Sequence, residues 1–392
     1  MSQVWIAMAL LHGLGIAIAA AAFAYAWIAL LASRRRLRPF SATSPHAPAV
    51  HPVTVLKPLR GADPYLYENL RSFCVQSHPD YQLVFGVRDF EDPAIAVVQR
   101  LRAEFPARDM ALVVNPAAHG SNPKVSNLIN MLPFAKHDWL VLADSDIRVS
   151  ADYLARVTAP LATLDTGIVT CLYRGIAEHG FWSWLGRMFI DDWFVPSVRL
   201  AHAFSQPRYA FGSTIALRRD VLGAIGGFEV LKDTLADDFW LGELVRRRHL
   251  RIVVSDLLVG TQVSETRLSS LWTRELRWLR TVRALAPWGF SMTWVCFTTP
   301  VAVLGFALAP GTWAASLAAL GIGARLVLHF MQARAERPHL PWFEVLLVPL
   351  RDTLLLLQWA TALTGWRVHW HGRTLDARTN HSAPGLIRHS TT

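Results

Sequence analysis

The sequence predicts a parallel-rich α/β domain set between apolar helices, and three observations carry that prediction. Residues 4–32, VWIAMALLHGLGIAIAAAAFAYAWIALLA, contain no formally charged side chain. Three further apolar stretches, roughly 288–309, 312–333 and 343–365, lie near the other end. Between them, residues 51–272 alternate short apolar runs with helical patterns. Composition agrees: 52% of the 392 residues are hydrophobic and only 17% charged. That is too apolar for an ordinary soluble enzyme and too polar for a pure membrane bundle.

The first apolar run exceeds the ~30 Å of bilayer hydrocarbon at 1.5 Å per residue, so residues 1–33 are expected to cross a membrane. A secretory signal would have a shorter apolar core and a basic start. Here the basic cluster SRRRLR (33–38) comes after the run. The positive-inside rule then puts the residues after 33 in the cytoplasm and the N-terminus outside. Residues 34–50, with Pro39, Pro45 and Pro48 among Ser, Thr and Ala, read as a linker.

Strands are expected at VTVLK (53–57), YQLVFGV (81–87), ALVV (111–114) and DWLVLA (138–143), and helices near 64–76, 92–104 and 123–132. This alternation marks a parallel sheet of nucleotide-binding type, whose ligands gather at the carboxyl ends of strands. Toward the C-terminus, APGT joins the first two apolar stretches too tightly to hold a domain, so they read as one helix out and one back. The third, FEVLLVPLRDTLLLLQWATALTG, carries Arg351 and Asp352 in its middle. Ionised groups there need partners. The basic RVHWHGR after it argues for a re-entrant segment, simple alternation for a crossing, and both readings stay open. Residues 367–392 read as a tail.

The formal net charge is +10, and Lys supplies only four of the 39 basic residues. An Arg- and Ala-heavy chain suggests a bacterial source, hence a multi-pass protein of the cytoplasmic membrane. Such a basic excess suits nucleic acid, an anionic membrane surface or a phosphorylated small substrate, and the partners expected here are the last two, with no nucleic acid. Cys74, Cys171 and Cys296 form no CxxC pair, which points away from a zinc site or a disulfide framework.

Several stretches carry chemistry. LVLADSDIRV (140–149) ends an apolar strand with Asp144 and Asp146. On an extended segment these face one side, and two carboxylates plus substrate phosphates suit Mg2+ or Mn2+. A chance Asp-x-Asp is nevertheless expected about once in a chain of this length. LADDFWLGELVRRR (235–248) starts a helix with carboxylates, by dipole complementarity or as a general base. TRELRWLRTVRALAPWG (273–289) repeats Arg every third residue from Arg274 to Arg283. An interfacial helix over anionic lipid and arginine contacts to a diphosphate are compatible readings. HGSNPKVSN (119–127) offers a helix start for phosphate or an ordinary capped loop. GFWSWLGRMFIDDWFVPSVRLAHAF (180–204) reads as a membrane-dipping segment or lipid-acceptor groove, against a buried helix.

Taken in order, VLKPLRGADP (55–64), GVRDFEDPA (86–94), NPKVSNL (122–128), DSDIRV (144–149), QPRY (206–209), ADDFW (236–240) and RELRW (274–278) resemble the lipid-acceptor glycosyltransferases with a GT-A fold. Among these the chain resembles the ceramide glucosyltransferase family and its bacterial relatives, hopanoid-associated transferases included. The resemblance implies a cytoplasmic catalytic domain at 51–272, an interfacial helix at 273–287 and membrane helices at 288–366. It further implies that Asp89 contacts uridine, that Lys57 and Pro58 line the nucleotide cleft, and that Lys124 and Asp144 bind the donor. Asp146 would face the metal together with Asp144, Asp238 would be the catalytic base, and Arg274, Arg277 and Trp278 would close over the diphosphate. Eukaryotic members tend to have Gly at the place of Asp146 and His at that of Gln206. The function so implied is inverting transfer of a sugar from a UDP donor to a lipid hydroxyl, glucose to ceramide first. UDP-N-acetylglucosamine with a hopanoid lipid, a diacylglycerol acceptor and a polymer-exporting synthase are the competing readings.

Overall fold

The computed structural model describes residues 2–34, 51–178, 180–205, 207–336, 341–370 and 373–378. Apart from Arg34, the expected linker lies outside the described residues, as do Gln206 and the expected tail beyond residue 378. The described residues form ten strands and fourteen α-helices, numbered along the chain, and fall into two compact units.

One unit holds an eight-stranded sheet: β1 (Val53–Pro58), β2 (Tyr81–Val87), β3 (Asp109–Val114), β4 (Trp139–Leu142), β5 (Ile147–Arg148), β6 (Thr166–Ala177), β7 (Ile215–Arg218) and β8 (Arg251–Val263). Their order is β3-β2-β1-β4-β7-β6-β8-β5. The first four run parallel, while β7 is antiparallel to both β4 and β6, and β5 is antiparallel to β8. The central strands are apolar nearly throughout because both faces are covered. Val55, Leu83 and Phe85 pack toward α2 (Leu66–Cys74), α3 (Ala94–Glu104) and α5 (Tyr153–Thr158), against Phe73, Val98 and Val157. Their neighbours Leu56 and Val84 turn to the other face, with Val125, Leu222 and Leu241 of α4 (Pro123–Met131), α8 (Arg219–Ala224) and α9 (Asp237–Arg247). The period of two thus divides one run into two cores.

The parallel register aligns the carboxyl ends. Pro58 pairs with Gly86 and Leu56 with both Val84 and Leu142, so the chain leaves β1, β2 and β4 at one edge of the sheet.

The other unit gathers α1 (Ser2–Arg34), α6 (Phe181–Phe189), α7 (Val195–Phe204), α10 (Leu268–Leu285), α11 (Pro287–Met292), α12 (Thr298–Leu308), α13 (Thr312–Glu336), α14 (Phe343–Leu363) and a hairpin of β9 (Arg367–Trp370) with β10 (Arg373–Asp376). The aromatic segment 180–204 is α6, a π-turn at Ile190–Phe194 and α7, and it groups with these helices rather than with the sheet strands on either side of it in sequence. Among the described residues three helices are long and apolar enough to cross a membrane: Gln3–Arg34, Thr312–Arg334 and Phe343–Leu363. The stretch 288–309 differs from its expected single helix. It breaks between α11 and α12 with a bend of 74°. Pro300 lacks an N–H and would clash with the carbonyl of residue 296 in a continuous helix, so the chain restarts at Thr298.

Small residues set the helix contacts. Ala19, Ala22, Ala26 and Ala29 of α1 are fully buried. A Cβ placed on Gly305 would fall 2.6 Å from the backbone nitrogen of Ala19. Such close backbone approach is how helices associate where lipid offers no hydrophobic drive. The two charges inside the third stretch both have partners. Arg351 Nη2 donates to Glu275 Oε2 at 2.6 Å, and Arg325 Nη2 to Asp352 Oδ1 at 2.9 Å. The helix carrying them runs unbroken from Phe343 to Leu363, with Pro349 inside it.

Candidate active site

The site is built in the sheet unit, where the chain leaves β4. Asp144 and Asp146 lie in the turn between β4 and β5, with Ile147 N–H donating back to Asp144 O at 3.4 Å. That turn replaces the extended geometry expected for Asp-x-Asp and sends the two carboxylates to different partners. Asp144 Oδ1 meets Lys124 Nζ at 2.8 Å, while Asp146 Oδ2 accepts from Thr261 Oγ1 at 2.7 Å. Thr261 stands on β8 opposite Ile147 of β5, so the antiparallel register delivers it.

Lys124 reaches this place from the start of α4. Asn122 caps that helix by accepting from the N–H groups of Lys124 and Val125, and Pro123 fits the first turn. Lys124 Nζ also meets Asp237 Oδ2, at 3.2 Å. Burial works against its charge, but Asp144 and Asp237 outweigh that and hold the ammonium protonated well beyond the usual lysine range. Asp237 and Asp238 open α9. Asp238 accepts from the N–H of Gly212 at 3.0 Å and of Phe239 at 2.8 Å.

Gly212 shows how closely these groups meet. A Cβ on it would lie 3.0 Å from Asp144 Oδ2, 3.3 Å from Lys124 Nζ and 3.5 Å from Asp238 Oδ2. Desolvation raises the Asp238 carboxyl to about 6, with Asp237 adding to the rise and Lys124 opposing it. Asp146 is raised as well, by burial first and then by Asp144. Perturbed carboxyls around a common point are what general acid–base chemistry requires.

Lys57 lies beneath the turn, fully buried, its ammonium donating to the backbone carbonyl of Asp144 and standing 4.1 Å over the Phe73 ring. Burial lowers it to about 7, against the pull of Asp146 and Asp144. Its contact here is with the backbone of the Asp-x-Asp turn. Pro58 ends β1 beside Gly86 of β2. Asp89, just beyond β2, is exposed at the same edge and accepts from the N–H of Glu91. The buried carboxylate of that loop is Asp92, which accepts from Gly61 N–H at 3.0 Å and Ala94 N–H at 2.9 Å and so ties the loop after β1 to the start of α3. Arg274, Arg277 and Trp278 lie on α10 in the helical unit. There Arg274 Nη1 bonds Glu265 at 2.7 Å, and its guanidinium lies 5.5 Å from the centre of the Trp278 ring. Arg280 and Arg283 of the same arginine series donate to the backbone carbonyls of Arg367 and Ala362.

Among the described residues no group of three or more His, Cys, Asp or Glu is arranged to hold a metal ion by itself. Asp144 and Asp146 offer carboxylate oxygens, the hard donors that Mg2+ and Mn2+ take. That donor set fits a cation shared with substrate phosphates and not one resident in a protein cage.

Sequence reasoning missed Gly212 and Thr261, and it placed Asp237 at a helix start without assigning it a role in the site. Asp237 was visible beside Asp238, and helix geometry alone could have flagged it. Gly212 and Thr261 carry no local signal.

Comparison with known proteins gives the fold and the family. Ceramide glucosyltransferase 3 of Caenorhabditis elegans is 25% identical over 236 residues, 60% of this chain and 51% of that protein. Ceramide glucosyltransferase of Komagataella phaffii is 34% identical over 130 residues, 32% of this chain and 26% of that one. The matched region spans about half the length of the first of these relatives, and less of the second. The mannosyltransferase PcManGT of Pyrobaculum calidifontis, solved in complex with GDP-Man and Mn2+, superposes with a TM-score of 0.54 at 19% identity, covering 90% of this chain and 98% of that one. The fold is GT-A, that of nucleotide-sugar glycosyltransferases. The family described as glycosyl transferase family 21 matches residues 14–383, and the chain belongs to it.

Proposed function

We propose that this glycosyltransferase moves a sugar, glucose first, from a UDP donor to a lipid hydroxyl, ceramide first, with inversion at the anomeric carbon. The observation that carries the reading is the meeting of Asp144, Asp238 and Lys124 around Gly212. The names of the relatives supply the substrate classes.

In this reading Asp238 accepts the proton of the acceptor hydroxyl on a carboxylate oxygen. The freed oxygen attacks the anomeric carbon from the face opposite the diphosphate, the bond from that carbon to the diphosphate breaks, and UDP leaves. Gly212 and Phe239 N–H groups hold the Asp238 carboxylate in one orientation. Lys124 keeps positive charge where negative charge develops. Asp144 and Asp146 would hold Mg2+ or Mn2+, which when bound offsets charge on the diphosphate. Lys57, Pro58 and Asp89 are assigned to the nucleotide end, and Arg274, Arg277 and Trp278 to the diphosphate. The apolar helices would seat the enzyme in a bacterial cytoplasmic membrane with the sheet unit facing the cytoplasm, so that a lipid head reaches the site while its tails stay in hydrocarbon.

A matrix of UDP-glucose, UDP-galactose and UDP-N-acetylglucosamine against ceramide, a hopanoid polyol and diacylglycerol, with products weighed by mass spectrometry, tests this reading. Glucosylceramide as the main product supports it. Another single-sugar lipid reassigns donor or acceptor, and a polymer removes single transfer altogether.

A further inference from the structure

One buried ion pair in the helical unit has no part in the chemistry above. Neither Glu275, the second residue of RELRW, nor Arg351 of α14 has exposed side-chain surface. Glu275 Oε2 accepts from Arg351 Nη2 at 2.6 Å and from Gln358 Nε2 at 2.8 Å. The Arg351 guanidinium lies 5.3 Å from the centre of the Phe189 ring, and that ring meets Trp278 at 5.4 Å with a 58° tilt. Glu275 and Trp278 sit three positions apart on α10, one turn of one helix face. The contacts therefore close a circuit from α10 to α14, to α6, and back to α10.

Stability is a poor explanation for this pair. Taking two charges out of water costs more than many such pairs return, and well-packed apolar replacements are often neutral or stabilising. Among the described residues Arg351 Nε and Nη1, Glu275 Oε1 and Gln358 Oε1 find no hydrogen-bond partner, so the cluster is under-satisfied as well. The helices already share apolar clusters, one holding Leu271 and Val348 and another Leu279 and Ala362. What an apolar pair would lack is direction. A guanidinium fixed at one edge by a carboxylate presents a planar face, and that face sets the ring stacked on it.

We propose that Glu275 and Arg351 are positioning residues: through Phe189 they set the ring of Trp278, and with it the Arg274 guanidinium over that ring, in the orientation transfer needs. The proposal rests on reading Arg274, Arg277 and Trp278 as part of the transfer machinery, and it adds that α14 aims them.

The full-length protein in nanodiscs, labelled with 5-fluorotryptophan, tests it, the Trp278 resonance being assigned with Trp278→Phe. Two variants are compared: Glu275→Met combined with Arg351→Met, which removes the pair without leaving a lone charge, and Phe189→Leu, which keeps the pair and cuts only the relay. Both are expected to move the Trp278 fluorine resonance, and Phe189→Leu that of Trp193 as well, whose ring meets Phe189 at 4.8 Å, while the remaining tryptophans stay in place. Both are expected to lower kcat by about ten- to a hundredfold with little change in donor KM. The double variant also takes the Glu275 acceptor from Gln358 Nε2, so its melting temperature serves only to confirm that it folds. An unmoved Trp278 resonance in both variants overturns the positioning, whatever the activity. Wild-type turnover in Trp278→Ala would instead overturn the reading of the segment, and the fluorine shift tells the two failures apart.

Discussion

Lys124 Nζ stands 2.8 Å from Asp144 and 3.2 Å from Asp237, so one ammonium joins the turn after β4 to the start of α9. It also lowers Asp238, while Asp237 raises it. Activity should therefore respond to pH with a sign that each neighbour sets. Asp238 works as a base only when ionised, and its carboxyl is held up at about 6, so kcat/KM is expected to rise with pH through about 6. Asp237→Asn removes a negative neighbour and should move that limb to lower pH. Lys124→Met removes a positive one and should move it higher. A pH profile of kcat/KM for the three proteins checks both directions, and limbs that stay together would remove Asp238 as the titrating base.

Asp238→Asn keeps an acceptor for only one of the Gly212 and Phe239 N–H groups, which bond different carboxylate oxygens, and takes no proton. Transfer should fall by about 100- to 10,000-fold, the usual worth of a general base. Donor affinity, measured by calorimetry, should stay near wild type. Turnover at the wild-type rate would take Asp238 out of the mechanism.

Gly212→Ala puts a methyl group 3.0 Å from Asp144 Oδ2, tighter than ordinary contact. The added group meets the site and not the core. Activity should drop at least tenfold, since misplacements of this size cost up to about 100-fold, while the melting temperature barely moves. Matched losses of melting temperature and activity would make the glycine structural.

Asp352→Ala leaves Arg325 buried with its main partner gone, since Asp192 stands 3.5 Å away against 2.9 Å for Asp352. It also strips Thr299 of its acceptor. Breaking a buried pair on one side costs about 3–5 kcal/mol. Thermal melting of the detergent-solubilised protein should show a loss of that order, and Asp352→Asn, which still accepts, a smaller one. An unchanged melt in Asp352→Ala would mean that the pair adds nothing to the fold.

The sequence by itself determined the first four strands and the helices between them. The apolar runs of β1, β2, β3 and β4 announce strands that the structure places within two residues, and Asn122-Pro123 announces the start of α4. These signals are local: a period of two, a period of 3.6, a cap. They also placed Asp144 and Asp238 at a strand end and a helix start before any contact was known. Tertiary structure decided which of these ends meet. Thr261 reaches Asp146 across 115 residues, Arg351 reaches Glu275 across 76, and Gly212 and Asp237 enter the site only because α9 and the loop before β7 converge on the turn after β4. Antiparallel register and helix packing choose such partners. Neither leaves a trace in the spacing of neighbouring residues, because their free energy comes from contacts that exist only once the distant segments are already side by side.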